Sequence, residues 1–277
     1  MDKKAVLEKI NTELQIQGKS KQTQKAYCFY NEMFLNFIKK DCSKITEDDV
    51  KKFLAYLLSE KNYDCSSAAL AKASLKFFYD GLLKKKIMDD IKTPKKVRKL
   101  PDVLTKEEIK VLINNSKTLR NKLMIEIMYS SGLRVSECSK IRMADINIED
   151  KTGLLKSGKG GKDRFFILSE TLIKDLKEYM KEEPNLTYIF YGKNRDEPIS
   201  VRAIQRVVSR VAKRSGIKKH VYCHLLRHAF ATHLLEYGVD IRLIQELLAH
   251  TNLQTTQFYT KVSKTQLKKV KSPLDTL

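Results

Sequence analysis

The chain has 277 residues, 42% of them apolar, which is enough for two ordinary domains that each bury a core. Its 54 Lys and Arg residues outnumber 33 Asp and Glu, and the formal net charge of +21 favours nucleic acid as partner over a merely solvated lysine surface. No apolar run approaches membrane-spanning length, no signal-peptide pattern is present, and five scattered cysteines without a C-x-x-C pair exclude a disulfide framework, so we expect a soluble cytoplasmic protein.

Four helices are predicted in residues 1–91, which we expect to form an N-terminal domain. Segments 3–16, 21–39 and 66–84 carry apolar residues at helical spacing, and Gly81 is expected to cap the last of them. The remaining helix lies between 21–39 and 66–84 and begins at Thr46, where carboxylates fill the first turn as in a capping box. An apolar stripe follows at helical spacing: Val50, Phe53, Leu54, Leu57 and Leu58.

Residues 92–103 are predicted to be an extended basic linker. The run KTPKKVRKLP has Pro94 and Pro101 on either side of several basic residues, and proline disfavours a helix before it. Two interpretations remain open for this segment. It is either a plain solvated connector, or a strap that contacts the phosphates of a duplex held between two domains.

Residues 104–277 are expected to form a second, α-rich domain. Thr105 and Glu108 give another capping box, and Ser169 and Ser200 are predicted N-caps. Helices are predicted at 106–116, 119–130, 134–141, 170–182, 201–215, 224–237 and 240–249, with Gly216 and Gly238 following two of them.

In one segment of this second domain the apolar residues no longer follow helical spacing. GLLKSGKGGKDRFFIL, residues 153–168, is predicted to be two short antiparallel strands around a Gly-rich turn. The expected fold class is therefore mainly α: a four-helix N-terminal domain, then an α-rich domain that carries a small antiparallel β-sheet and ends in a C-terminal tail.

Four stretches of the second domain carry side chains suited to a phosphodiester. In SGLRVSE, Arg134 lies at a helix start after Gly132, and a guanidinium can hold two phosphate oxygens at once. The alternative is that Arg134 pairs with Glu137, three residues later on the same helix.

In SGKGGKDR, Lys159 lies in the predicted hairpin turn, where an ammonium could stand beside a leaving oxygen. Lys162 competes for this role, and either side chain could be an ordinary surface lysine. The turn lacks the spacing of a P-loop.

In HLLRHAFATHLL, His224 and Arg227 are i and i+3, so one helical face presents an imidazole and a guanidinium together. His224 and His228 could instead bind a metal, but no H-E-x-x-H glutamate or cysteine partner accompanies them, and we expect no metal site. His228 and His233 are expected to be packed or capping residues.

In LLAHTNLQTTQFYTK, His250 ends an apolar helix and Tyr259 follows nine residues later. A tyrosine beside a phenylalanine is usually a core residue. Taken in chain order, an Arg, a Lys, a His, a second Arg, a second His and a Tyr nevertheless suit phosphoryl transfer through a covalent tyrosine intermediate.

Together, GLRVSE, GKGGKDR, HLLRHAFATHLL and LLAHTNLQTTQFYTKVS resemble the tyrosine recombinase (phage integrase) family. The chain length and the closing KSPLDTL are most similar to Xer-type members, including the archaeal single-recombinase kind. Ala249 stands where the family often has glycine, a change that a helical backbone should tolerate.

The resemblance implies a role for each matching residue. Tyr259 would attack the scissile phosphate and keep the 3′-phosphate as phosphotyrosine, while Arg134 and Arg227 hold the non-bridging oxygens. Lys159 would protonate the 5′-oxygen, and His224 would take the tyrosine proton. His250 would donate to the phosphate, and Glu137 would brace Arg134. No cofactor or metal is implied.

The resemblance also implies partners and a task. It predicts a core-binding domain at 1–91, a catalytic domain at 104–277, and a tetramer of this chain on two double-stranded DNA sites. The expected function is site-specific recombination that resolves chromosome or plasmid dimers, in chromosome partition and cell division. Alternatives are integration or excision of a mobile element and a non-catalytic DNA-binding protein; an accessory protein is not specified.

Overall fold

The computed structural model of the chain describes residues 2–92, 102–156 and 163–248. Contacts between Cα atoms divide the chain into two compact units, Met1–Lys99 and Leu100–Leu277. Most of the predicted linker, the Gly-rich turn with Lys159 and Lys162, and everything from Ala249 to the C-terminal tail lie outside the described residues.

The first unit is built from four α-helices among its described residues, as the sequence predicts. They are α1 (Lys3–Ile16), α2 (Lys21–Ile38), α3 (Glu47–Ser59) and α4 (Cys65–Lys76). Thr46 forms the expected capping box with Asp49 at the start of α3. Phe34 lies at the centre of the core, with its ring 5.2 Å from Phe53 and 5.8 Å from Tyr79 between centroids, both edge-to-face.

The end of α4 differs from the prediction. The α-helical hydrogen bonding stops at Lys76 and continues as a π-helical turn, Phe77–Leu82, in which Gly81 lies within the turn and does not cap it. The turn buries Phe78 and Tyr79 completely. Packing of these two rings outweighs the local glycine signal, and the predicted Gly81 cap is wrong.

The second unit is α-rich, with a small sheet. Its described helices are α5 (Lys106–Asn114), α6 (Leu119–Ser130), α7 (Val135–Lys140), α8 (Glu170–Glu182), α9 (Val201–Arg214), α10 (Cys223–Glu236) and α11 (Ile241–Leu248). The central helix α6 packs against α8 and α10 and is buried continuously from Leu123 to Met128. The capping box at Thr105 and the N-caps at Ser169 and Ser200 are confirmed.

The sheet among the described residues has three antiparallel strands in the order β1 (Ile146–Asn147), β2 (Thr152–Leu155) and β3 (Arg164–Ile167). The predicted hairpin corresponds to β2 and β3, and the two-residue β1 was not predicted. Gly153 faces Phe166 across the pair. A Cβ atom there would lie 2.2 Å from the Phe166 ring, so any larger residue would force this buried ring to move.

Candidate active site

Arg134 is held at the N-terminus of α7 by Glu137. Glu137 Oε2 accepts a hydrogen bond from the Arg134 backbone N–H at 2.8 Å, and Glu137 Oε1 accepts one from Arg134 Nη1 at 2.6 Å. The ion pair proposed as the alternative for Arg134 therefore exists. It fixes the orientation of a guanidinium that keeps 23% of its side chain exposed, so pairing and anion binding are compatible.

Arg227 of α10 is fully buried, and its side chain lies close to Glu137. Its Nη1 donates to the Gly132 carbonyl at 2.6 Å, and its other terminal nitrogen, Nη2, donates to the Leu248 carbonyl. Gly132 has a φ of +61°, and a Cβ there would lie 2.5 Å from Phe230. Glycine is thus required for the turn that brings Arg134 towards Arg227.

A third arginine, Arg164 of β3, completes what we call the Glu137 cluster: Arg134, Glu137, Arg164 and Arg227. Arg164 Nη2 lies 2.7 Å from Glu137 Oε2, and Arg227 Nη1 lies 3.9 Å from the same oxygen. Sequence reasoning did not select Arg164. Its signal was the two-residue period of RFFI, which places Arg164 on the same inward face as Phe166.

Electrostatics keep Glu137 ionised. Burial by itself would raise its pKa, but the Arg164 guanidinium, the Arg134 backbone N–H and the Arg134 guanidinium together hold the pKa below the usual value. One carboxylate then faces three guanidiniums. The cluster therefore has excess positive charge and is suited to a further anion.

His224 lies one turn before Arg227 on α10, as the i, i+3 spacing predicts. The residue is exposed, and partial desolvation first, then the charges of Arg227 and Arg134, lower its pKa, so the imidazole is neutral at pH 7 and can accept a proton. The neighbouring His228 ring lies 4.5 Å away between centroids. Burial, His224 and Arg227 lower the pKa of His228 to about 4.

His233 is a packed residue, as expected. It is buried, and its Nδ1 lies 2.9 Å from the Tyr129 hydroxyl. Among the described residues, no three His, Cys, Asp or Glu side chains come together in an arrangement that could hold a metal ion.

The C-terminal end of α11 lies against the cluster. The Leu248 carbonyl accepts from Arg227 and, at 3.4 Å, from Arg134 Nη2, while the Leu247 carbonyl accepts from Arg164. Carbonyls at a helix C-terminus carry partial negative charge and attract cations. His250 and Tyr259 follow α11 in the chain, and they and Lys159 lie outside the described residues.

Basic side chains extend away from the cluster. A cleft of about 760 Å³ opens beside Arg134, and its lining includes Lys140, Arg142 and Lys156. Helix α9 buries Ile204, Val208 and Val211 and exposes three arginines at four-residue spacing, Arg202, Arg206 and Arg210. None of these three forms an ion pair within the part of the chain that the structure describes.

No helix within the described ranges is long and apolar enough to cross a membrane.

Residues 102–266 match the model of the Phage integrase family, and residues 6–89 match that of the Phage integrase N-terminal SAM-like domain. Tyrosine recombinase XerA of Pyrococcus horikoshii is 39% identical over 268 residues, covering 95% of this chain and 91% of that protein.

Two solved structures share the fold. XerH site-specific recombinase in a post-cleavage complex with palindromic difH substrate has a TM-score of 0.77 and 23% identity, over 95% of this chain and 82% of that one. A lambda integrase tetramer bound to a Holliday junction has a TM-score of 0.76 and 19% identity, over 92% of this chain and 76% of that one. The chain therefore belongs to the phage integrase family and is a Xer-type tyrosine recombinase, an enzyme that transfers DNA strands.

Proposed function

We propose that the protein cuts and rejoins DNA at specific sites through a covalent 3′-phosphotyrosine intermediate, and that it resolves chromosome or plasmid dimers in the manner of Xer recombinases. The observation that carries the proposal is the Glu137 cluster. Two guanidiniums of different helices, Arg134 and Arg227, already share one carbonyl acceptor, Leu248 O. A phosphate oxygen that replaced this carbonyl oxygen would accept hydrogen bonds from the same two guanidiniums.

In this mechanism the two arginines bind the non-bridging oxygens of the scissile phosphate. They stabilise the charge that grows in the five-coordinate transition state, and because Glu137 fixes Arg134 in advance, little reorganisation is needed. These guanidiniums supply the positive charge that Mg²⁺ provides in other phosphoryl-transfer enzymes, so we expect no metal requirement.

Tyr259 is the proposed nucleophile. A free phenol has a pKa near 10, so the tyrosine needs a base close by at neutral pH. His224 is neutral for the reasons given above and is the proposed acceptor of the phenol proton. Lys159 would protonate the leaving 5′-oxygen, and His250 would donate to the phosphate. The phosphotyrosine bond conserves the phosphodiester energy, so no ATP is needed.

DNA is the proposed partner of both units. Residues 1–91 would form the core-binding domain, 92–103 a linker along the backbone, and 104–277 the catalytic domain. The exposed arginines of α9 and the basic cleft beside Arg134 support phosphate contacts in the second unit. Because the proposed substrate is double-stranded chromosomal or plasmid DNA, we propose a cytoplasmic location.

Strand exchange between two sites needs two cleavages and two rejoinings on each duplex, so we propose a tetramer of this chain on two DNA sites. The XerH complex with difH and the lambda integrase tetramer on a Holliday junction share this fold, which supports the proposal. Integration or excision of a mobile element would use the same chemistry on different sites.

The test is covalent capture. The protein is mixed with sheared DNA from its source organism in EDTA, the reaction is stopped with SDS, and DNA that stays attached to protein is sequenced. We expect adducts at one recurrent sequence, and their complete loss in Tyr259→Phe with DNA binding retained. Tyr237→Phe is the matched control, because Tyr237 is 69% exposed in the same unit, and it should behave as wild type.

Each outcome distinguishes a function. Adducts at a single chromosomal locus support dimer resolution, and adducts at the ends of a mobile element support integration. Adducts that persist in Tyr259→Phe would disprove the nucleophile. A wild-type protein that binds DNA without forming any adduct would favour the non-catalytic alternative.

A further inference from the structure

We propose that Arg164, a residue that the catalytic roles above leave unused, is a positioning residue of the strand-transfer site: it orients Glu137 so that Glu137 aligns Arg134 beside Arg227. This inference rests on the proposed function, because its readout is the cleavage step. It concerns a residue that would touch neither the phosphate nor the tyrosine.

The contacts of Arg164 account for the proposal. Its side chain is 7% exposed, and its two terminal nitrogens are both used: Nη2 binds Glu137 Oε2 at 2.7 Å, and Nη1 donates to the Leu247 carbonyl. Arg227, which is also buried, donates from its two terminal nitrogens to the backbone carbonyls of Gly132 and Leu248. Arg164 instead joins Glu137 of α7 to the end of α11 from within the sheet.

Glu137 divides its oxygens between two arginines. Oε1 accepts from Arg134 Nη1 at 2.6 Å, whereas Oε2 accepts from the Arg134 backbone N–H at 2.8 Å and from Arg164 at 2.7 Å. Rotation of the carboxylate would break the bond to the Arg134 guanidinium. Arg164 opposes that rotation, since a bound Oε2 keeps Oε1 directed at Arg134.

The charges that face Glu137 come from three elements. They are Arg134 at the N-terminus of α7, Arg164 on β3 and Arg227 on α10. The charge of Arg164 is the largest single influence that holds the pKa of Glu137 down against burial, and Arg134 adds its backbone N–H, its side-chain hydrogen bond and its charge. Removal of Arg164 should therefore both free the carboxylate to rotate and raise its pKa, so that more of it is neutral at a given pH.

The position of Arg164 in the chain adds a second link. It is the first residue of β3, pairs with Leu155 of β2, and follows the turn that carries Lys159. Its bond to Glu137 thus fixes one base of that hairpin to the arginine cluster. A positioning role is favoured over a purely structural one because the side-chain hydrogen bonds of Arg164 to described residues lead to the cluster and to α11.

The experiment measures the single-turnover rate of covalent adduct formation on a nicked duplex oligonucleotide that contains the sequence mapped by adduct capture. Arg164→Met should slow the step about 100-fold and Arg164→Lys about 10-fold, because lysine keeps the charge but only one of the two contacts. Affinity for the same duplex should stay within about threefold. Arg120→Met is the matched control, since Arg120 is partly buried in the same unit and donates to the Tyr191 carbonyl away from the cluster.

Two readouts separate positioning from simple structural support. The rate ratio of wild type to Arg164→Met should grow as the pH falls, because the carboxylate of the variant protonates at a higher pH than that of wild type. His224 titrates in both proteins and cancels in the ratio. In a Glu137→Gln background, Arg164→Met should change the rate less than threefold, since Arg164 acts through Glu137.

Failure of this inference and failure of the proposed function give different results. Wild-type adduct formation with near-normal rates in both Arg164 variants would overturn only the positioning role, as would a pH-independent ratio or a full effect in the Glu137→Gln background. If Arg164→Met does not fold, the rate and pH ratio of Arg164→Lys decide the question. A wild-type protein that binds DNA but forms no adduct in the capture experiment would overturn both proposals.

Discussion

Two groups of buried charges in the second unit have opposite balances. The Glu137 cluster has three guanidiniums around one carboxylate. The Lys122 cluster has one ammonium and two carboxylates: Lys122 Nζ lies 2.5 Å from Asp175 and 3.8 Å from Glu126, across α6 and α8. The carboxyl side chains of both groups are at most 10% exposed, yet each group leaves a different charge unmatched.

The difference appears in the carboxyl pKa values. Burial raises the pKa of Glu126 to about 7, with Asp175 adding to the effect, while the arginines lower the pKa of Glu137 despite its burial. An excess of buried cations would be balanced by the charge of a bound phosphate. An excess of buried carboxyl groups binds no anion and lowers stability when both groups ionise. The proposed phosphate binding would thus explain the first cluster, whereas packing between α6 and α8 accounts for the second.

The largest effect on the rate of adduct formation should come from removal of Arg227 from the Glu137 cluster. Arg227→Met should slow adduct formation at least about 1,000-fold. It should also lower the free energy of unfolding by about 2–4 kcal/mol, because the buried carbonyls of Gly132 and Leu248 lose their donor. Single-turnover cleavage and urea titration measure the two effects.

Arg210→Met on the exposed face of α9 is the control for that experiment. It should weaken DNA affinity and reduce the salt dependence of binding by about one charge, while cleavage of bound DNA continues. Equal loss of cleavage in the two variants would show that Arg227 acts as one more backbone contact.

Whereas Arg227→Met should destabilise the protein, removal of a charge from the Lys122 cluster should stabilise it at high pH. The folded-state pKa of Glu126, about 7, lies above its ordinary value of 4.5, so its contribution to stability is complete below pH 4.5 and is lost as the pH rises through 7. Glu126→Gln should therefore raise the free energy of unfolding by about 1–3 kcal/mol at pH 8 and change it little at pH 5.

Urea titrations at pH 5 and pH 8 test this prediction, with Glu182→Gln on the exposed side of α8 as control. Destabilisation of Glu126→Gln at pH 8 would mean that the Glu126 carboxylate is needed for the packing of α6 on α8. The cluster would then be a required ion pair.

A smaller effect is expected beside the Glu137 cluster, at His228. Its folded-state pKa of about 4 lies below the ordinary value of 6.5, so its contribution to stability is present above pH 6.5 and is lost as the pH falls towards 4. Part of the wild-type loss between pH 7 and pH 5, about 1–2 kcal/mol, should be absent in His228→Gln.

Thermal unfolding at the two pH values measures that difference, and the exposed His220→Gln is the control. Equal acid sensitivity in wild type and His228→Gln would assign the loss to other groups.

Local signals predicted most of the helices. The N-caps at Thr46, Thr105, Ser169 and Ser200 were correct because a cap is a hydrogen bond between residues two or three positions apart. Gly81 was the exception, since ring packing of residues distant in sequence converted the expected cap into a π-helical turn.

The site was predictable in part. His224 and Arg227 were assigned to one face because helical spacing fixes their separation. Arg164 was missed because a single arginine in a strand carries no mark of its partner, and Glu137 lies 27 residues away. The two-residue period indicated that Arg164 points inward, but not what it meets there.

By itself the sequence determined the helices, the hairpin, the basic charge and the residue types suited to a phosphodiester, because each depends on neighbours in the chain or on composition. Only the tertiary structure decided that Arg134, Arg164 and Arg227 surround one carboxylate and that the end of α11 closes on them. These contacts join residues up to 114 positions apart. Burial of α6, α10 and the sheet in one core brings them together, and no local pattern encodes that packing.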